Sequence, residues 1–229
     1  MTRNLKAEDR RPAIAEAVIP VFARHGFVGA TTKKLAEAAG VSEALLYKYF
    51  PSKEAIYQEI VRLLPKRIDN ALWRLSALKP STESLICWTH AWAHRFLILD
   101  GSEQQEDLRN IHRVILNSLK EDGEFARRVF KKVAQEQRVD FQTAYEAAKS
   151  AGDIAPDLVD PTNVFWFVHN TIVMTAYSSL PARTTIDYLG TNEELVRQTV
   201  VFVLRGLGMK DRVIAAKYNA KTLALVEER

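Results

Sequence analysis

A single cysteine, Cys87, in 229 residues rules out an intrachain disulfide, so nothing staples this chain and a reducing, cytoplasmic setting is expected. Glycine and proline are sparse too, at 9 and 8, which excludes collagen-like and low-complexity architectures. Long hydrophobic runs are missing. The nearest, 162–182, has no charged residue but carries Asn163, His169, Asn170, Thr171, Ser178 and Ser179. A spanning helix needs about 20 predominantly apolar residues, so this stretch is expected to be buried in protein, with no membrane partner. The opening MTRNLKAEDRRPAIAEAV has no uninterrupted apolar stretch of the kind a secretory signal needs. Strand patterning is scarce as well, since β-branched residues nowhere alternate with polar ones over a useful length.

What remains is helical spacing along nearly the whole chain, and the expected fold class is all-α. Ile14, Val18, Val21 and Phe22 form a first stripe, opened by Asp9 to Pro12 and closed by Gly26, with Pro20 expected to bend it near Glu16. Thr31 caps a short helix over 32–39. Gly40 stops it, Val41 plugs the turn, and Ser42 caps a third helix ending at Phe50. After Pro51, Ser52 caps a fourth helix running to about Leu78, bent at Pro65. Further helices are predicted over 83–99, 104–119, 124–151, 161–180 and 193–207, and a tail helix over 211–227.

Charge is unevenly spread. Residues 1–62 hold 10 Lys/Arg against 7 Asp/Glu, while the remaining 167 hold 22 against 21. A basic N-terminal unit suggests an anionic partner. Two short helices joined by AAGVS have the form of a helix-turn-helix, whose second helix enters a DNA major groove. In that second helix Leu46 and Phe50 should face inward with Val41, leaving Glu43, Ala44, Tyr47 and Lys48 on the opposite side. Lys33, Lys34 and Lys53 stand at helix starts, where phosphates bind readily. Tyr47 and Tyr49 can donate hydroxyls to phosphate, Ala44 or Leu45 can touch a thymine methyl, and Glu43 can accept from a cytosine amino group. Solvated helix faces are the competing reading of the same positions.

The stretch AVIPVFARHGFVGATTKKLAEAAGVSEALLYKYFPSKEAIYQEIV, residues 17–61, resembles the TetR family of bacterial transcriptional regulators, with GF, TT..LA..AGVS, LY.YF and SKE in register. The resemblance implies a three-helix DNA-binding domain, 1–52, followed by a larger helical domain, 53–229, that binds an effector and dimerises. Carried over by position, Thr32, Tyr47, Tyr49 and Lys53 look like phosphate contacts, with Ser42 and Lys48 near the backbone. Lys33, Glu43, Ala44 and Leu45 look like base-reading positions. Two departures stand out: Ala44 and Leu45 occupy sites where many members have glycine or a small polar residue, and Pro20 replaces a helix former.

The larger domain offers composition only. Trp88 and Trp92 lie four apart, and with Phe96 they either line an apolar effector cavity or form plain core. Phe165, Trp166, His169 and Tyr177 pose the same choice, and Cys87 reads as a small buried hydrophobe. His90 and His94 have zinc-ligand spacing but no third ligand nearby. A regulator whose larger domain only dimerises or binds another protein is one alternative reading, and an all-α metal enzyme using the two histidines with Asp100 is a more remote one, while neither metal nor cofactor is expected. The last two main helices are apolar over most of their circumference. The resemblance implies that they pair with a twin, through Val200, Val203 and Leu204, in a homodimer binding a near-palindromic double-stranded DNA operator. Such regulators are most often repressors whose small, partly apolar effector releases DNA.

Overall fold

The computed structural model describes residues 7–67, 75–98, 101–156, 159–219 and 221–223. Its helices are α1 (Ala7–Ala17), α2 (Ile19–Gly29), α3 (Thr32–Ala38), α4 (Glu43–Tyr49), α5 (Lys53–Arg67), α6 (Thr82–Leu97), α7 (Glu103–Lys120), α8 (Glu124–Ser150), α9 (Pro161–Tyr177), α10 (Asn192–Gly206) and α11 (Asp211–Lys217). Among the described residues the only extended pairing is one isolated bridge, Ile154 to Met209. The all-α expectation therefore holds. None of the described helices is long and apolar enough to cross a membrane.

Packing divides the chain into two compact units, one of residues 1–68 and 101–133, the other of 69–100 and 134–229. The first unit thus extends beyond the reading head, 1–52, expected from sequence. Its core shows why: Leu35, Leu46 and Phe50 from the head share one apolar cluster with Ile56, Ile60, Val114 and Phe125. Fifty residues alone bury little of their own surface, and the added helices complete the interior. Tyr57 is the hub, with ring centroids 4.7 Å from Phe22, 4.9 Å from Phe27 and 4.6 Å from Phe125.

The bend expected from Pro20 near Glu16 takes the form of a break between two helices, two residues further on. The chain breaks at Val18, and Pro20 falls in the first turn of α2, where a missing N–H and a fixed φ cost nothing. Gly26 also differs from a simple stop. It takes φ +67° inside α2, and helical structure resumes to Gly29. The carbonyls released by this kink are collected by α7: Asn117 Nδ2 donates to Phe22 O at 3.2 Å and Ala23 O at 2.9 Å. Just beyond α7, Glu121 Oε2 accepts the Phe27 N–H at 3.2 Å. A Cβ at position 26 would lie 2.6 Å from Glu121 Oε1, the tip of a flexible side chain that can move aside, so it is the conformation, φ +67°, that favours glycine there.

The second unit is organised on α6, which packs against α9, α10 and α11. Ser81 opens α6 with a reciprocal cap, its side chain accepting from Ser84 N–H while Ser84 Oγ accepts from Ser81 N–H. The predicted tail helix is shorter than 211–227. After Lys217 the chain turns, becomes helical again at 221–223, and positions 224–227 lie outside the described residues. Ionic and polar bonds hold this tail to α6. Lys217 Nζ lies 3.1 Å from Glu83 and 3.0 Å from Asp153, whose carboxylate also accepts from Thr82 Oγ1 at 2.6 Å. Buried Cys87 donates to Thr222 O, sulfur to oxygen 3.3 Å. The fourth helix was expected to run to Leu78; of that continuation, 68–74 lie outside the described residues.

Candidate nucleic-acid interface

The interface is built upward from two caps. Thr31 Oγ1 accepts from Lys34 N–H at the start of α3, and Ser42 Oγ accepts from Leu45 N–H at 3.2 Å at the start of α4. The caps fix two seven-residue helices too short to persist alone. Leu46 and Phe50, 2% and 1% exposed, then pin α4 to the core. Glu43, Ala44, Tyr47 and Lys48 are exposed together, while Leu45 is half-buried at the edge of that face. Lys33 is exposed at the start of α3.

Three further contacts shape this surface. Thr32 Oγ1 and Tyr47 OH lie 3.1 Å apart, so the hydroxyls of two candidate phosphate contacts, one from each helix, are joined in advance. Lys53 Nζ donates to Phe27 O at 2.5 Å and sits 4.4 Å above the Phe27 ring, which leaves two of its three N–H groups for another acceptor. Ser42 is occupied as a cap. Tyr49 is half-buried, and its carbonyl accepts from Arg11 Nη1 at 2.6 Å.

Arg11 was not singled out from sequence. Its guanidinium lies 4.5 Å from the Phe50 ring centroid and 3.2 Å from Glu59, so one side chain of α1 braces the last turn of α4. Glu59, only 4% exposed, is held in turn by Arg62 at 2.5 Å. The Arg62 bond, then Arg11, keep its carboxyl below the ordinary range against the opposing effect of burial. A buried carboxylate needs such partners. The signal was RRP at 10–12, read as a helix start rather than as a brace.

In the second unit the structure brings four of the aromatic candidates, Trp88, Trp92, Phe165 and His169, together. Trp92 stacks on Phe141 at 6.0 Å and meets Trp88, Phe165 and His169 edge-on at 6.0, 5.4 and 5.8 Å. Trp88, Trp92, Phe165 and His169 are buried, whereas Phe96 and Tyr177 are half-buried. Burial pushes the Tyr177 hydroxyl up to about 12.

His90 of the His90–His94 pair is tied to the tail. His90 Nδ1 lies 2.9 Å from Tyr218 OH of the tail, and among the described residues no three His, Cys, Asp or Glu side chains are grouped to hold a metal. Asp100 lies outside the described residues. Burial, helped by His94, lowers His90 from 6.5 to about 4, and burial lowers His169 as well. Between about 4 and 6.5 the folded chain therefore binds fewer protons than the unfolded one. Stability is fully present above pH 6.5 and falls as pH descends toward 4. Urea unfolding at pH 7.5 and 5.0 should show that loss, and His90→Gln should reduce it; an identical loss in the variant overturns the assignment.

Val200, Val203 and Leu204 are not placed for a twin. At 0%, 5% and 0% exposure they are buried within the chain, on the helix that packs against α6. The outward apolar side chains are others: Phe167 and Met174 on α9, each 60% exposed, and Phe202 on α10, 69% exposed. Both helices have two apolar faces, and the pattern alone did not say which one turns inward. The missing signal was charge, because no Asp, Glu, Lys or Arg occurs between Asp160 and Arg183.

Residues 14–60 match the pattern of bacterial regulatory proteins of the tetR family. Over 60 residues the chain is 40% identical to the HTH-type transcriptional regulator RutR of Escherichia coli K12, a match covering 26% of this chain and 28% of RutR. Similar folds extend much further. A transcriptional regulator of the TetR family from Cytophaga hutchinsonii superposes with a TM-score of 0.63 at 16% identity, over 91% of this chain and all of that one. AibR, solved in complex with isovaleryl coenzyme A and operator DNA, gives 0.61 at 19% identity, over 84% of this chain and 97% of AibR. The head thus carries the sequence pattern of the tetR family of bacterial regulatory proteins, and the all-helical fold of such regulators is shared along most of the chain.

Proposed function

We propose that the protein is a homodimeric, ligand-responsive transcriptional repressor rather than an enzyme. Residues 1–52 read a near-palindromic operator through α4, and residues 53–229 bind a small, partly apolar effector and dimerise. The observation that carries this reading is the exposed face of Glu43, Ala44, Tyr47 and Lys48 on a helix held by Leu46, Phe50 and Arg11. A rigid support with a polar display is what groove reading requires. In this assignment Thr32, Ser42, Tyr47, Lys48, Tyr49 and Lys53 position the phosphates, while Lys33, Glu43, Ala44 and Leu45 face the bases. The effector meets Trp88, Trp92, Phe96, Phe165, His169 and Tyr177, of which Phe96 and Tyr177 are half-buried. Effector binding favours a dimer whose heads are wrongly spaced, so DNA and effector oppose each other reciprocally. AibR, with a similar fold, has been seen with both kinds of partner.

Selection by the purified protein from a random duplex pool tests the reading. Enrichment of a two-half-site sequence is expected, and a pool that stays random overturns it. Within the head, Thr32→Val and Tyr47→Phe should each weaken binding to every duplex by about three- to tenfold, without changing base preference. Because the two hydroxyls are hydrogen-bonded to each other, the double variant should lose less than the product of the two. Multiplicative losses would show that they act on separate phosphates.

A further inference from the structure

Every residue from 181 to 191 in the connection between α9 and α10 is exposed, and the connection presents Ile186, Tyr188 and Leu189 at 54%, 43% and 88% exposure. We infer that this connection is an arm that packs on a second copy of the chain, widening the dimer face formed by Phe167, Met174 and Phe202. The inference rests on the dimer reading above and adds a second, separate surface to it.

Four observations carry it. The arm is continuous with the face it would extend, since it leaves the end of α9 and enters the start of α10. It is shaped rather than slack: Thr185 N–H and Oγ1 both donate to Ser178 O, at 2.9 and 3.2 Å, and Thr184 Oγ1 bonds Asp187 at 3.0 Å. At its far end Glu194 and Thr191 form a reciprocal cap. Charge is depleted throughout, because residues 161–192 contain only Arg183 and Asp187, of opposite sign. Such depletion marks the centre of protein interfaces.

Area points to a second copy as the occupant. Taking roughly 200 Å² per large side chain, the exposed fractions of Phe167, Met174 and Phe202 supply about half of the ~800 Å² that each partner commits to a standard interface. Ile186, Tyr188 and Leu189 supply about as much again. In a twofold pairing one patch meets its own copy, so an arm at the end of the paired helices lies beside the partner's helices.

Sedimentation equilibrium of the full chain tests this, using wild type, the double variant Ile186→Ser/Leu189→Ser, and Phe202→Asp. The arm variant should raise the dimer dissociation constant about tenfold or more while circular dichroism stays unchanged. If its constant matches wild type while Phe202→Asp is monomeric, the arm inference falls and the helix face stands. If Phe202→Asp remains dimeric, the helix face itself is wrong and the arm falls with it. Amide exchange over 184–190 should be slower in the wild-type dimer than in the Phe202→Asp monomer; equal rates overturn the arm.

Discussion

Phe202→Asp is expected to dissociate the proposed dimer and to lower affinity for a two-half-site duplex by at least about 100-fold. Phe202 is 69% exposed on a helix whose Val200, Val203 and Leu204 face inward, so the substitution leaves the chain's own core untouched. At a twofold interface it would introduce two unpaired carboxylates, each desolvated without a partner. Operator binding then suffers indirectly. In a dimer the second head binds at an effective concentration in the millimolar range, and a monomer loses that advantage. Affinity for a duplex with one half-site should be unchanged, since residue 202 is no part of the head. Sedimentation and titration of both duplexes check the result. A monomer that keeps full affinity for the two-half-site duplex would refute the proposed role of dimerisation.

Trp92→Ala should cost about 3–5 kcal/mol of stability, the largest effect expected of a single core truncation here. Trp92 is 2% exposed and touches four rings, and edge-on or stacked pairs add about 0.5–1.5 kcal/mol each beyond area alone. The cavity would be walled by Phe141 and Phe165, whose positions on α8 and α9 resist collapse. Urea unfolding followed by near-ultraviolet circular dichroism is the measurement, compared at pH 7.5, where His90 and His169 are neutral. A loss below about 1 kcal/mol would mean that the ring cluster repacks around the gap.

Local chemistry explains what could be read in advance. Thr31 and Ser42 cap the helices they were expected to cap, and Ser52 Oγ accepts from Ala55 N–H at 3.3 Å at the start of α5, because an N-cap depends on neighbours only three residues away. The inward placing of Leu46 and Phe50 follows from helical spacing in the same way. Pro20 was expected inside a helix rather than in a first turn because the two differ only in where the preceding helix ends, here at Ala17. The orientation of Val200, Val203 and Leu204 depends on which helix covers them, and the brace from Arg11 to Tyr49 O spans 38 residues. Neither leaves a local trace. The extent of the first unit has the same origin, since Val114 and Phe125 enter the head's core from far along the chain.

Arg11 also bears on how portable the head is. It lies three residues before the segment that matches the family pattern, 14–60, yet its guanidinium reaches the last carbonyl of α4. A chimera that grafted residues 14–60 onto another regulator would transplant every side chain assigned to DNA and leave their strut behind. Grafts beginning at residue 7 or earlier keep it, so the boundary of the transferable module is set by a contact rather than by the conserved-looking stretch.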